Sequence, residues 1–126
     1  MIFGVGTDVV TVSRIAAAWQ RFDRRFAERI LTSKELASFA EAHDPVRFLA
    51  RRFAAKEAIA KALGTGFAHG ISPRLLGVTS DAWGKPQVAL EPEAAAVAAR
   101  LGAGDGFVSI ADEAEIVTAF AVFERR

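Results

Sequence analysis

The sequence predicts a compact α+β domain over residues 1–126, in which a small and mostly antiparallel sheet wraps around one long buried helix. Three observations support this fold class. Residues 45–63 have a helical pattern that is apolar on nearly every side, five short segments have strand character, and no repeat, linker or low-complexity tail divides the chain. Because a helix that is apolar all round is usually buried, the other elements are expected to pack around it.

The long helix is predicted from Pro45 to Leu63, with Gly64 as the left-handed residue that follows its end. Glu57 is the exception within it, because this carboxylate follows apolar side chains at successive steps of four. A buried carboxylate costs several kcal/mol unless a cation or hydrogen bonds meet it. Lys61, four residues further on, is one candidate cation, and a metal ion is another. The alternative is that Glu57 and Lys61 form an ordinary surface pair.

The first strand is predicted near the N-terminus, where apolar residues alternate with glycines and a carboxylate. Its apolar face carries Phe3, Val5 and Val9. The other face carries Gly4, Gly6 and then Asp8, and glycines on a strand face allow a close approach to the backbone. Asp8 is expected at the end of this strand, beside the next helix, as either a capping residue or a functional carboxylate.

The remaining elements are predicted from periodicity and from turn residues. In order, they are a helix from Val12 to about Phe26, a short helix over residues 33–42, strands Leu75–Ser80 and Pro86–Leu90, a helix Glu91–Leu101, and strands Phe107–Ala111 and Ile116–Phe123. Thr32 or Ser33 is expected to cap the short helix.

Positive charge is concentrated in the first half of the chain, although the net charge is only +1. Residues 1–63 hold 11 basic and 7 acidic side chains, whereas residues 64–126 hold 5 and 8. The basic side chains of the first predicted helix and its continuation are Arg14, Arg21, Arg24, Arg25 and Arg29. Such a face is often only solvated, but arginines interleaved with aromatic residues also suit the docking of an acidic helix. An acidic protein, a nucleotide or a nucleic acid is the expected partner.

The residue types restrict the chemistry that this chain can perform. There is no cysteine, which excludes disulfides, thiol nucleophiles and thiolate metal sites. The two histidines, His43 and His69, have no evident serine partner, and no GxSxG motif occurs. Carboxylates and basic groups remain, and these suit the binding of a divalent ion and of phosphate.

Asp8 and Glu57 could supply the one or two protein carboxylates that Mg²⁺ takes, provided that the first strand packs against the long helix. The cations expected to neutralise phosphates are Lys61, Arg52 and Lys85. The loop Gly64-Thr65-Gly66 could offer backbone N–H groups to a phosphate. It is not a Walker loop, because no GxxxxGK[ST] occurs in the chain.

Composition also predicts a cytoplasmic, associating protein. The N-terminal segment MIFGVGTDVV lacks the basic region of a secretory signal, and no run approaches the ~18 apolar residues of a membrane span. A hydrophobic content of 52% is high for a small domain. The surplus is expected to cover a subunit interface.

Three separated blocks resemble one family, the holo-acyl-carrier-protein synthases, which are 4′-phosphopantetheinyl transferases. These blocks are GVGTDVVTVSRI (4–15), RFAERILTSKEL (25–36) and RFLARRFAAKEAIAKALGTG (47–66). The later segments GKPQVAL and FVSIADE match as well, so the resemblance covers almost the whole chain in order. It implies the 4′-phosphopantetheinyl transferase fold and transfer of phosphopantetheine from coenzyme A to an apo-acyl carrier protein, in fatty acid biosynthesis, with release of adenosine 3′,5′-bisphosphate.

The resemblance also implies roles for particular residues. Asp8 and Glu57 would be the Mg²⁺ ligands, and Lys61 would contact the phosphates and help the leaving group. The nucleotide pocket would be lined by Gly64, Thr65 and Gly66, with Arg52, Lys85 and Pro86 nearby. The carrier protein would face Arg14, Arg21 and Arg24, and the protein would be a homotrimer with a site at each subunit boundary.

One departure from the family and two rival functions stay open. Many members have a histidine where this chain has Phe107, and a phenylalanine cannot replace its hydrogen bonds. The first rival is a different Mg²⁺-dependent phosphate enzyme. The second is a non-enzymatic domain whose basic helix binds an acidic protein or a nucleic acid, although no aromatic stacking set is evident. The sequence does not indicate which carrier proteins are clients or which acyl-coenzyme A molecules are tolerated.

Overall fold

The structure, a computed structural model, describes all residues from 1 to 126. The helices are α1 (Val12–Phe22), α2 (Arg24–Ile30), α3 (Ser33–Phe39), α4 (Pro45–Leu63) and α5 (Pro92–Leu101), with a 3₁₀ turn at Pro73–Leu75. The strands are β1 (Ile2–Thr11), β2 (Leu76–Ser80), β3 (Pro86–Leu90), β4 (Ala103–Glu113) and β5 (Ile116–Arg125). None of the helices combines the length and the apolar character needed to span a bilayer.

Two antiparallel sheets surround α4, which confirms the predicted α+β fold class. One sheet has the strand order β1-β5-β4, and the other is the hairpin β2-β3. Helix α4 packs against β1 and β5 and also contacts β2 and β4. Its buried apolar side chains are small or aliphatic. They are Leu49, Ala50, Ala54, Ala55, Ala58, Ile59, Ala60, Ala62 and Leu63. The many alanines let the surrounding strands lie close to the helix axis.

Strand β1 approaches α4 through its glycine face. A Cβ atom built on Gly6 would lie 2.1 Å from the carbonyl oxygen of Ala58, and one on Gly4 would lie 2.1 Å from that of Ala62. No side chain fits there, so the strand backbone lies directly on the helix backbone. Consequently the apolar residues Val5 and Val9 point away from the helix and are exposed.

Asp8 does not lie at the end of β1, as expected, but within it. The strand continues to Thr11, which immediately precedes α1 and acts as its N-terminal cap residue without a side-chain hydrogen bond. The ladder with β5 extends through Asp8 and pairs Thr11 with Ile116. Because this pairing holds the chain extended for three residues beyond Asp8, the carboxylate is not a helix cap.

The helix predicted from Val12 to about Phe26 is two helices. Asp23 has φ 51° and separates α1 from α2, and its N–H closes α1 on the carbonyl of Trp19 at 2.8 Å. Aspartate enters positive φ more readily than most residues. Periodicity alone did not reveal this break, because the apolar spacing continues across it.

Strand β4 begins at Ala103, four residues before the predicted start. Gly104 and Gly106 concealed the strand in the sequence, because glycine is typical of loops. Gly106 is required by packing, since a Cβ atom there would lie 2.4 Å from the ring of Phe123.

Candidate active site

Asp8, Glu57 and Lys61 meet where β1 crosses α4. Gly4, Gly6 and Asp8 share one face of β1, and the two glycines lie on successive turns of α4. Asp8 therefore faces the same helix beside Glu57 and Lys61. The Nζ atom of Lys61 is 3.2 Å from Oδ1 of Asp8 and donates to the carbonyl oxygen of Thr7 at 3.0 Å.

Glu57 lies in an environment that disfavours its charge. Partial burial raises its pKa above the ordinary value, and the nearby Asp8 carboxylate raises the pKa further. Lys61 and then Arg14 act in the opposite direction. Two carboxylates that repel each other at one place provide the negative potential that attracts a cation.

The donor set suits a hard divalent ion that is shared with a substrate. No group of three or more histidine, aspartate or glutamate side chains is arranged to hold a metal ion. Asp8 and Glu57 form a pair, and Mg²⁺ typically takes one or two protein carboxylates and fills its other positions with water and phosphate oxygens. These two residues therefore fit Mg²⁺ better than an ion that needs an all-protein cage.

The loop Gly64-Thr65-Gly66 ends α4 and borders a cavity of about 350 Å³. The N–H of Gly64 donates to the carbonyl oxygens of Ala60 and Lys61, and those of Thr65 and Gly66 donate to the carbonyl oxygen of Ala60. The expectation that this loop offers free N–H groups to a phosphate is therefore wrong, because closing the helix uses them. The cavity beside the loop also includes His69 and Arg100.

Lys85 and Pro86 line a different groove, of about 510 Å³, which is also lined by residues of β4. This groove shares no residue with the cavity beside the glycine loop. Within one chain, Gly64 and Thr65 thus line one cavity, and Lys85 and Pro86 line another. Phe107 is exposed at this groove, where it can offer an aromatic face but no hydrogen bond.

Arg52 points into a buried charge network that the periodicity of the sequence does not reveal. Its Nε atom is 3.2 Å from Oε2 of Glu35, and its guanidinium lies 4.5 Å from the ring centroid of Phe48. Lys56, which is 0% exposed, donates to Oε1 of Glu35 at 2.6 Å. Arg52 is therefore engaged inside the protein rather than free on its surface.

This network joins three parts of the chain. Glu35 also accepts from the backbone N–H groups of Thr32 and Val78, and Lys56 donates to the carbonyls of Pro73 and Leu76. Burial lowers the pKa of Lys56, and Glu35 opposes this shift. The Thr-x-x-Glu spacing of a capping box was the available sequence signal, and the reciprocal bonds of that box are present.

The predicted docking arginines lie on the exposed side of α1 and at the start of α2. Arg14, Arg21 and Arg24 are exposed, and Arg24 pairs with Glu28 at 3.1 Å. Beside them lies a groove of about 680 Å³, whose lining is Ala18, Phe22, Arg25, Phe26, Arg29, Ile30 and Pro73. The surface therefore combines an apolar floor with a basic rim. Arg14 is also close enough to Glu57 to influence its pKa.

A second apolar surface covers the side of the β1-β5-β4 sheet that faces away from α4. We call it the outer sheet face, and its exposed apolar residues are Val5, Val9, Phe107, Ile116 and Phe120. They lie on all three strands, and the register forms an apolar row across the sheet, since Val122 of β5 pairs with Val5 on one side and with Phe107 on the other. A continuous exposed apolar surface of this kind marks an interaction site.

The chain belongs to the 4′-phosphopantetheinyl transferase superfamily, whose family model matches residues 4–121. The holo-[acyl-carrier-protein] synthase of Nitrosospira multiformis is 43% identical over 125 residues, which cover 99% of this chain and 100% of that protein. The one from Neisseria meningitidis serogroup A is 46% identical over 125 residues, with the same coverage. These relatives confirm the resemblance to the holo-acyl-carrier-protein synthases and make the chain an enzyme of that family.

Solved structures agree with this assignment. The holo-[acyl-carrier-protein] synthase of Neisseria meningitidis superimposes with a TM-score of 0.95 at 44% identity, covering 99% of this chain and 100% of that one. The Helicobacter pylori enzyme in complex with coenzyme A gives a TM-score of 0.83 at 26% identity, covering 95% and 99%.

Proposed function

We propose that this chain transfers the 4′-phosphopantetheine group from coenzyme A to a serine hydroxyl of an apo-acyl carrier protein in the presence of Mg²⁺. Adenosine 3′,5′-bisphosphate is released, and the holo carrier protein serves fatty acid biosynthesis in the cytoplasm. The observation that carries the proposal is the meeting of Asp8, Glu57 and Lys61 in a chain of this family. The coenzyme A complex of the Helicobacter pylori relative supports the choice of nucleotide.

Each member of the Asp8–Glu57–Lys61 cluster has a proposed task. Asp8 and Glu57 would hold Mg²⁺, which would supply charge neutralisation to the pyrophosphate. Glu57, or a water that it would hold on the metal, accepts the proton of the carrier serine. Lys61 neutralises the charge that develops on the leaving phosphate. The nucleophile comes from the partner, so this chain needs none of its own.

The carrier protein docks on the basic surface of α1 and α2 through Arg14, Arg21 and Arg24. The support is electrostatic and steric, since an acidic helix meets cations at the rim and apolar side chains in the groove. Arg14 lies near Glu57, so a partner held there presents its serine close to the carboxylate pair.

The active enzyme is a homotrimer with its sites at the subunit boundaries. The outer sheet face supports association, because it exposes Val5, Val9 and Phe120 to solvent in the single chain. The separation of the two nucleotide surfaces supports a shared site. Gly64, Thr65 and Gly66 on one subunit would face Lys85 and Pro86 on the next.

The transfer reaction is tested by incubating the protein with coenzyme A, Mg²⁺ and an apo-acyl carrier protein. A covalent mass gain on the carrier serine is expected, and Asp8→Ala and Glu57→Ala should each abolish it without unfolding the protein. Glu41→Ala, an exposed carboxylate elsewhere, is the matched control and should react normally. Retained turnover in Asp8→Ala would remove the metal assignment. No mass gain, together with nucleic-acid affinity that falls steeply with salt, would favour the nucleic-acid alternative.

The docking surface is tested by charge reversal. Arg14→Glu with Arg21→Glu should raise the KM for carrier protein and leave the affinity for coenzyme A unchanged. Lys34→Glu reverses an exposed lysine on α3 and is expected to leave the KM for carrier protein and the affinity for coenzyme A unchanged. Equal losses of affinity for both substrates in the α1 variant would refute the docking role.

A further inference from the structure

The ion pair of Lys61 is made with a residue that is distant in sequence. Lys61 follows Glu57 by four residues on α4, yet its salt bridge is to Asp8 on β1, at 3.2 Å. The Lys61 side chain is 52% exposed, whereas that of Asp8 is 14% exposed. The ammonium group therefore lies on the solvent side of the carboxylate, where an incoming cation would also approach.

A second hydrogen bond also holds the ammonium group of Lys61 at this place. Its Nζ atom donates to the carbonyl oxygen of Thr7 at 3.0 Å as well as to Oδ1 of Asp8. The two acceptors belong to adjacent residues of β1, so the ammonium is held at a defined place rather than free in solvent. A charge held there acts on any cation that binds Asp8.

We propose that Lys61 is an exchangeable counter-ion of Asp8, which opposes divalent-ion binding to the free enzyme and moves to the phosphates when coenzyme A binds. This inference rests on the proposed function, because it assumes that Asp8 and Glu57 are the metal ligands. A single positive charge about 5 Å from a doubly charged ion in water weakens binding of that ion roughly tenfold. The phosphates of coenzyme A offer Lys61 other anions to pair with, and they offer the divalent ion further oxygen ligands. The repulsion between Lys61 and the ion and the shortage of ligands for the ion are therefore relieved together.

An order of binding follows from this exchange. The divalent ion binds weakly to the enzyme alone and tightly once coenzyme A is present. Metal and coenzyme A are then strongly coupled, and each raises the affinity for the other by the same factor. Lys61 is the residue that produces a large part of this coupling.

The experiment measures Mn²⁺ binding by electron paramagnetic resonance, with and without coenzyme A, and needs no turnover. Lys61→Met removes the charge, and Lys61→Arg is the matched control that keeps it. Without coenzyme A, Lys61→Met should bind Mn²⁺ roughly tenfold more tightly than wild type, whereas Lys61→Arg should resemble wild type. Coenzyme A should strengthen Mn²⁺ binding less in Lys61→Met than in the other two proteins.

Two results would overturn the inference, and a third variant separates it from the proposed function. Equal Mn²⁺ affinity in wild type and Lys61→Met, or equal tightening in Lys61→Met and Lys61→Arg, would show that the charge of Lys61 does not oppose the ion. Asp8→Asn should abolish the tighter binding of Lys61→Met when the two are combined. If the combined variant still binds Mn²⁺ as tightly, the ion binds elsewhere, and the metal assignment of the proposed function fails as well.

Discussion

Replacing Gly6 with alanine is expected to separate β1 from α4 and to damage both stability and catalysis. The new Cβ atom would lie 2.1 Å from the carbonyl oxygen of Ala58 and 2.6 Å from the amide nitrogen of Ala62. Real Cβ contacts are essentially never shorter than 3.0 Å, so the strand and the helix must move apart by about 1 Å. The two nearest of the three obstructing atoms belong to the backbone, and the third is the Cβ atom of Lys61 at 2.9 Å, whose position the backbone fixes, so no side-chain rotation relieves the clash.

The expected losses of stability and of turnover follow from this displacement. Overpacking of a well-filled contact costs about 1–3 kcal/mol, and the upper end applies because backbone meets backbone. A loss of about 3 kcal/mol corresponds to a fall in Tm of roughly 10 °C for a domain of this size. Asp8 lies two residues along the same strand, so a shift of about 1 Å should also lower kcat by ~10²-fold.

Thermal unfolding and the carrier-protein transfer assay measure these two effects. Gly104→Ala is the matched control, because a Cβ atom there meets its nearest neighbours only at 3.3–3.5 Å, close to the C-terminus. It should lower Tm and kcat far less than Gly6→Ala does. Unchanged stability and turnover in Gly6→Ala would refute the argument that the glycine face sets the distance between Asp8 and the helix.

Three further perturbations test the charges and the outer sheet face. The pKa of Glu57 is raised above 4.5 in the folded protein by burial and by Asp8, so wild type loses stability as the pH rises from about 4.5 through the folded pKa. Glu57→Gln removes the titrating group and should not show this loss of stability. Calorimetry at acidic and neutral pH should therefore show the Tm of the variant rising relative to that of wild type towards neutrality. Glu35→Gln leaves the buried Lys56 without its carboxylate and should lower the free energy of unfolding, measured with urea, by about 3–5 kcal/mol. Adding Lys56→Met should recover part of that loss. An unchanged urea midpoint in Glu35→Gln would contradict the stabilising role of the network. Phe120→Asp places a charge in the outer sheet face and should dissociate the proposed trimer in sedimentation, and an unchanged sedimentation coefficient would count against that interface.

Local sequence determined the elements whose signals lie within a few residues of one another. The proline and glycine at the two ends of α4 predicted its bounds as the structure has them, because helix capping depends on adjacent backbone groups. Strand β3, Pro86–Leu90, was also predicted with its observed bounds. The residue types at positions 8, 57 and 61 indicated divalent-ion and phosphate chemistry, because carboxylates bind a hard cation and a lysine neutralises phosphate.

Tertiary packing decided which groups meet and which stay apart. Arg52 was expected near phosphates but pairs with Glu35, and Lys61 was a candidate partner of Glu57 but pairs with Asp8. Ion pairs between residues distant in sequence depend on how strands and helices cross, which no local periodicity records. The glycines of β1 set how closely this strand crosses α4, and this crossing forms the candidate active site. The absence of a side chain at Gly6 lets the strand lie on the helix and brings Asp8 close to the carboxylate of Glu57.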